Sequence, residues 1–372
     1  MRVLVTGVKG QLGYDVMNEL AGRGHEGIGV DIQEMDITDA ASVEKVITEA
    51  APDAVIHCAA YTAVDAAEDN VDLCRRVNAG GTENIARVCK ALNCKMMYIS
   101  TDYVFNGQGT RPWEPDDKRE PLNVYGQTKY EGELAVETLE KFFLVRIAWV
   151  FGVNGKNFIK TMLNLGKTRD HLTVVADQIG SPTYTYDLAR LLVDMIETDK
   201  YGRYHATNEG LCSWYEFACE IFRQAGMDEV KVTPVSSDQF PVKAVRPANS
   251  RMSKAKLEEN GFEIIEARMT DVIRKTYFYQ DSQIREYHLN KPMDQKIWFR
   301  TADMFFDLAH SLTDSIAKGH PLYKPAIRMD DLVKDSDPII HHTFDAGEGV
   351  LIPGEIIHHA KHGCKYFLIL QP

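Results

Sequence analysis

Short apolar runs alternate with amphipathic stretches through the first 150 residues. Residues 2–6 (RVLVT) predict a strand that runs straight into a glycine-rich turn. Over 11–23, Leu12, Val16 and Leu20 recur every fourth position, the spacing of one helix face. The pattern then predicts a strand at 27–30 ending at Asp31, a helix over 41–51 and a strand at 54–57. A long helix over 71–92, a strand at 95–100, a helix over 125–140 and a strand at 143–147 follow. Strands joined by helices at this spacing pair in parallel through crossover connections. Their nearly unbroken apolar character belongs to strands with helices on both faces. The expected fold class is therefore α/β, with a doubly wound parallel sheet.

Beyond residue 150 the alternation loosens. Turn-rich pieces at 152–155, 180–182 and 239–247 interrupt helical patterns at about 156–166, 185–197 and 213–225. A smaller, irregular, ligand-covering lobe fits this pattern better than a second sheet domain. From about residue 281 the character changes again. Eight of the twelve histidines fall in the last 92 residues, which carry one amphipathic helical pattern, at 301–317, with Phe305, Leu308 and Leu312 on a face.

Composition narrows the function. A chain of 372 residues has room for two or three structural units. Its 54 acidic against 42 basic residues give a net charge of −12, which argues against nucleic acid as a partner. A small phosphorylated ligand remains compatible with that charge. No run approaches the ~20 apolar residues of a membrane span, and no basic stretch leads into an apolar core near Met1. The seven cysteines, at 58, 74, 89, 94, 212, 219 and 364, are scattered without a CxxC pair. Reduced thiols in a cytoplasmic protein without a metal are the expectation.

The first turn reads Gly7-Val8-Lys9-Gly10-Gln11-Leu12-Gly13, G-x-x-G-x-x-G between a strand and a helix. Glycine lets the backbone turn tightly and approach a pyrophosphate held at the helix N-terminus. The motif alone is weak, but its place in a strand–helix series points to a dinucleotide and a Rossmann-type sheet. Asp31, at the end of the second strand, can accept hydrogen bonds from ribose hydroxyls, or can serve as an ordinary turn aspartate. Its carboxylate repels a 2′-phosphate whereas Lys9 can meet one, so NADH and NADPH both stay open. Asp36 and Ile37 can flank an adenine, and Asp39 can N-cap the next helix. The small residues of Ala59-Ala60-Tyr61 can let a cofactor pass over the strand ends, or can simply pack helix on sheet.

Thr101 ends the fourth strand, and Tyr125 and Lys129 stand four apart on one helix face. A free tyrosine has a pKa of about 10 and is a poor proton donor or acceptor at neutral pH. A nearby ammonium favours the phenolate and draws that pKa down, and a threonine hydroxyl can bond the same substrate oxygen. A lone YxxxK is more often a surface accident. The order glycine turn, strand-end Thr and helix-borne YxxxK is much more specific.

Together with 6–13, the stretches 59–65 (AAYTAVD), 100–107 (STDYVFNG), 121–129 (PLNVYGQTK), 146–151, 157–162 (NFIKTM), 177–183 (DQIGSPT) and 246–251 (RPANSR) carry a resemblance. Over residues 1–270 the chain resembles the extended short-chain dehydrogenase/reductase family, and within it the reductases of dTDP-linked 4-keto sugars. The resemblance implies NADH- or NADPH-dependent reduction of dTDP-4-dehydro-6-deoxy-L-mannose to dTDP-L-rhamnose. By it, the catalytic set is Thr101, Tyr125 and Lys129, with Lys129 also on the nicotinamide ribose. Cofactor contacts fall on Gly7, Gly10, Gln11, Leu12, Gly13, Asp31, Asp36, Ile37, Ala59, Ala60, Tyr61, Tyr125 and Lys129. Substrate contacts fall on Thr101, Asp102, Trp149, Asn157 and Arg246, with Gln178 and Asn249 as further candidates. Trp149 can equally be core packing, and Arg246 an ordinary surface residue. A homodimer is the candidate assembly. Related dehydratases carry Asp-Glu after the threonine, and Asp102-Tyr103 here argues for simple reduction. A non-catalytic cofactor-binding subunit, or an epimerase or dehydratase, is the alternative.

The expected domains are a dinucleotide-binding unit at 1–150, a mainly substrate-binding lobe at 151–280 that partly returns to the sheet, and an appended histidine-rich segment at 281–372. In that segment Gly347-x5-Pro353-Gly354-x3-His358 is similar to the second half-motif of cupins, without a first half-motif upstream. His341, His342, His358, His359 and His362 suit a transition metal or are plain surface histidines.

Overall fold

Apolar residues alternate between two sides of one sheet, and that alternation organises the molecule. The structure, a computed structural model, describes residues 1–262. The strands β1 (Arg2–Thr6), β2 (Glu26–Val30), β3 (Ala54–His57), β4 (Lys95–Thr101) and β5 (Phe142–Ile147) are separated by helices. These are α1 (Gln11–Gly22), α2 (Ala40–Ala50), α3 (Val64–Ala67), α4 (Val71–Arg75), α5 (Gly81–Leu92) and α6 (Val124–Val136). A further strand, Gly202–His205, completes a six-stranded sheet in which every pairing is parallel. The order runs Gly202–His205, β5, β4, β3, β1, β2.

Val3, Val5, Ala54, Ile56, Met97 and Ile99 pack on one side of the sheet with Val16 and Leu20 of α1 and with helix Thr185–Ile196. Leu4, Val55, Met96, Tyr98 and Leu144 pack on the other, under α2, α5 and the end of α6. Period-2 burial on both faces is what a doubly wound sheet requires. The doubly wound parallel sheet expected from sequence holds, and Thr185–Ile196 and Gly202–His205 also join it.

Residues from 150 onward also build the irregular part. Helices Phe158–Gly166 and Trp214–Gln224 pack with the two-stranded pair His171–Val175 and Lys231–Val235 around Met162, Leu172, Val174 and Phe222. The described residues belong to one compact unit.

The helix expected over 71–92 is continuous but changes its winding partway along. Between α4 and α5 lies a π-helical turn, Arg76–Gly80. One extra residue per turn is accommodated where Asn78 turns inward to bond the backbone of Tyr61. Asp39 N-caps α2, accepting from the Ala41 amide at 3.0 Å. The helical pattern at 301–317, the half-motif at 347–358, the eight late histidines and Cys364 lie outside the described residues.

Candidate active site

In β2–β1–β3 order, the chain leaves β1 toward β2 and then crosses to β3, so a crevice opens between the β1 and β3 loops at the carboxyl edge of the sheet. The glycine turn fills one lip of it. Gly7 has φ +70°, and a Cβ there would stand 2.9 Å from the Ala59 backbone. A Cβ on Gly13 would stand 2.4 Å from the Gly7 carbonyl oxygen. Only glycine permits both approaches. Gly10 is the N-cap of α1 and supplies no side-chain cap, which leaves the amide end of the helix open to an anion. The cradle therefore fits a pyrophosphate. Asn154 clamps it from the lobe, donating to the carbonyls of Lys9 and Gly10 at 3.0 Å each.

Asp31 stands beside this turn. Its carboxylate accepts from the Lys9 amide at 3.2 Å and the Ile32 amide at 2.8 Å, while the Lys9 ammonium donates to the Gln33 side chain at 3.1 Å. Both the anion and the cation weighed for cofactor choice thus border one place. Other expected cofactor residues have local duties. Asp36 accepts from the Thr38 amide and hydroxyl at 2.9 and 2.8 Å. Ile37 and Leu12 are core side chains; Ile37 packs so close to α5 that a Cβ on Gly81 would meet it at 2.8 Å. Ala59, Ala60 and Tyr61 form the opposite lip, only partly exposed.

Thr101, Asp102, Tyr125 and Lys129 come together at the end of β4. The Thr101 hydroxyl donates to Asp102 at 2.9 Å, and Asp102 also accepts from the Ser250 hydroxyl. Burial raises the Asp102 carboxyl to about 6, against the pull of these hydrogen bonds. Asn123 N-caps α6, accepting from the Gly126 amide at 2.7 Å, and so fixes the first turn that carries Tyr125. A Cβ on Gly126 would stand 2.2 Å from the Tyr103 carbonyl, so α6 starts tight against the β4 loop. The Tyr125 ring meets Tyr103 edge-on, with centroids 5.6 Å apart.

One expectation needs correction. Lys129 was expected to draw the Tyr125 phenol down, yet the phenol is raised above the usual tyrosine value. Burial dominates, the Asp102 charge adds to it, and the Thr101 hydroxyl opposes. The Lys129 ammonium instead donates to the Ile99 carbonyl at 2.7 Å. Burial pushes it down to about 7, with the Glu133 carboxylate opposing.

The substrate residues separate. Arg246 and Trp149 border the lobe. A cavity of about 640 Å³ is lined by Tyr103, Phe158, Gln178, Trp214, Phe240 and Arg246, among others. Arg246 is held by Asp65, at 3.1 and 2.6 Å. Trp149 stacks on Trp214 at 3.8 Å between centroids and carries φ +50°, a strained conformation for a bulky residue. Asn157 N-caps Phe158–Gly166, and its amide donates to Gln11 and the Gly152 carbonyl. Asn249 likewise spends its amide on the carbonyls of Gln108 and Arg111. Gln178 lines the cavity and donates to Ser237 at 3.0 Å.

Sequence reasoning passed over Glu133 and Arg146, both fully buried beside this site. Glu133 follows Lys129 by four residues and so continues the Tyr125–Lys129 face, a signal legible in the spacing. Trp214 and Asn154 gave no such signal.

Comparison with known proteins bears on this arrangement. The family described as RmlD substrate binding domain matches residues 1–313. A dTDP-4-dehydrorhamnose reductase of Aggregatibacter actinomycetemcomitans is 41% identical over 271 residues, which span 69% of this chain and 92% of that protein. A crystal structure of the Clostridium acetobutylicum dTDP-4-dehydrorhamnose reductase is 44% identical, with a TM-score of 0.70 over 72% of this chain and 95% of that one. The Bacillus anthracis dTDP-4-dehydrorhamnose reductase, solved in complex with NADP, is 43% identical, with a TM-score of 0.69 and the same coverage of both chains.

Proposed function

The chain belongs to the RmlD substrate binding domain family, and we propose that it reduces the 4-keto group of dTDP-4-dehydro-6-deoxy-L-mannose, giving dTDP-L-rhamnose, with NADPH or NADH as reductant. The observation that carries this reading is the meeting of Thr101, Asp102, Tyr125 and Lys129 at the end of β4, on the sheet edge that also bears the glycine cradle. The names of the reductases similar to this chain support it, as does the NADP in the Bacillus anthracis relative.

In this reading Gln11, Leu12 and Gly13 hold the pyrophosphate through backbone amides, while Gly7 and Gly10 shape the turn, their own amides spent on the Val30 and Gly7 carbonyls. Asp31, Asp36 and Ile37 border the adenosine, and Ala59, Ala60 and Tyr61 line the opposite lip. Lys129 and Tyr125 hold the nicotinamide ribose. The bound dinucleotide supplies the hydride.

Tyr125 does the proton work. Because its phenol is raised, it stays protonated at neutral pH and is charged for donation to the 4-oxygen. Thr101, whose hydroxyl opposes the rise of the phenol, holds this donor in place. Asp102, with Thr101 and Ser250 fixed on it, presents an acceptor to the sugar. Arg246, oriented by Asp65, faces the diphosphate, and Trp149 with Trp214 walls the sugar pocket; Asn157 acts through Gln11. Residues 1–150 would serve the dinucleotide, 151–280 mainly the nucleotide sugar, and 281–372 would be an appendage. Among the described residues no helix is long and apolar enough to cross a membrane. The same reading places the enzyme in the cytoplasm, with a homodimer as its expected assembly.

The test is to follow nicotinamide absorbance with purified protein and this keto sugar, supplying NADH and NADPH separately. Substrate-dependent oxidation of either is the expected result. A chain that binds dinucleotide yet oxidises neither would instead be the non-catalytic subunit.

A further inference from the structure

His57 is a titratable group with no part in the chemistry above. It is buried at the end of β3, stacked at 5.6 Å on the Tyr98 ring. Burial, with the Lys129 charge adding to it, pushes it down to about 3, so the imidazole is neutral. Its neighbours also fix its tautomer. The Thr82 hydroxyl donates to the Asn78 carbonyl at 2.6 Å, so its oxygen must accept from His57 Nε2–H, 3.2 Å away. Nδ1 is then the acceptor and takes the Thr6 hydroxyl proton at 2.7 Å. The Thr6 oxygen in turn accepts the Ala59 amide at 3.1 Å.

The result is one directed chain from Ala59 through Thr6, His57 and Thr82 to Asn78. Both its ends touch the same loop. Asn78 closes a ring with Tyr61, accepting from its amide at 2.8 Å and donating to its carbonyl at 3.1 Å. The Asn78 amide also donates to Thr128 at 3.2 Å, on the helix that carries Tyr125 and Lys129. Ala59 is the residue that crowds Gly7.

We propose that His57 and Thr82 are positioning residues: their hydrogen-bond chain fixes the 59–61 loop and Asn78 and so sets the affinity of the crevice for the dinucleotide. This rests on the cofactor reading above. Neither side chain touches the cofactor itself; each acts through backbone groups of Ala59 and Tyr61. Removing one link leaves a buried donor or acceptor without its partner, and the loop must move to find another.

The test compares Thr82→Val, which keeps shape and loses the hydroxyl, with Thr82→Ser, which keeps the hydroxyl. NADPH dissociation constants are measured by fluorescence titration, and kinetics with varied NADPH are run beside them. Thr82→Val is expected to weaken binding about tenfold and to raise the NADPH KM alike, with kcat at saturating NADPH changed less than about twofold. Thr82→Ser should return both constants to near the wild-type values. Unchanged binding in Thr82→Val, or equal loss in both variants, would overturn the proposal. Should Thr82→Val not fold, Thr6→Val cuts the chain at its other end, and the same weakening is expected there; unchanged binding would again count against it. A wild-type chain that binds neither NADPH nor NADH would overturn the cofactor reading and this inference with it.

Discussion

The Lys129 ammonium lies 4.1 Å from the centre of the Tyr98 ring, on the buried face of α6. The ring's negative face and the Ile99 carbonyl replace part of the water the ammonium gives up. They do not replace all of it, and burial lowers this lysine to about 7.

That shift makes stability depend on pH. Folding takes Lys129 from an ordinary value of 10.5 to about 7, so between those values the unfolded chain binds more protons than the folded one. Its contribution therefore grows more favourable as pH rises through this window, by up to about 1.4 kcal/mol per pH unit. Lys129→Met removes the term. Urea unfolding without dinucleotide, from pH 7 to about 8, where most thiols and phenols have yet to titrate, should show a flatter slope in the variant and greater stability than wild type near pH 7. Parallel slopes would mean that Lys129 carries its charge at little cost.

Tyr125→Phe removes the phenol and keeps the ring that meets Tyr103 edge-on. Loss of a positioned proton donor is worth about 10²–10⁴ in rate. The expected result is a kcat lower by that factor, with a much smaller loss of NADPH affinity, since Lys129 still holds the nicotinamide ribose. Stopped-flow reduction and fluorescence titration read the two quantities. A kcat within tenfold of wild type would place the donor elsewhere.

The fold was legible because its signal is periodic. Val3, Val5 and Leu4 sort themselves to opposite faces of the sheet by alternation alone, and Val16 and Leu20 by fourfold spacing. The site was legible where backbone demands a residue type, as at Gly7 and Gly13, and where a spacing places two groups on one face, as for Tyr125 and Lys129. What the sequence hid depends on tertiary neighbours. Nothing in the spacing said that Lys129 would turn to the Ile99 carbonyl, or that Asn157 would spend its side chain on a cap and on Gln11. The π turn at Asn78 was hidden for the same reason, since its cause is the Tyr61 backbone 17 residues away.

The buried ion pair behind the site gives the last prediction. Glu133 accepts from Arg146 through both oxygens, at 2.8 and 2.9 Å, and from the Ser100 hydroxyl at 2.6 Å. Both charged side chains are 0% exposed. Ser100 and Arg146 sit opposite each other in the β4–β5 register, so the pair locks α6 to the two strands that end at Thr101 and Ile147. Glu133→Leu leaves the Arg146 guanidinium buried without its anion, a loss of about 3–5 kcal/mol. Arg119 suffers less, because Glu137 still holds it at 2.6 Å. In Glu133→Leu/Arg146→Met both charges are gone and apolar volume takes their place, so most of that loss should return. Chemical denaturation of the two single variants and the double variant measures the coupling. Losses that simply add in the double variant would show that each side chain acts through its own packing rather than through the pair.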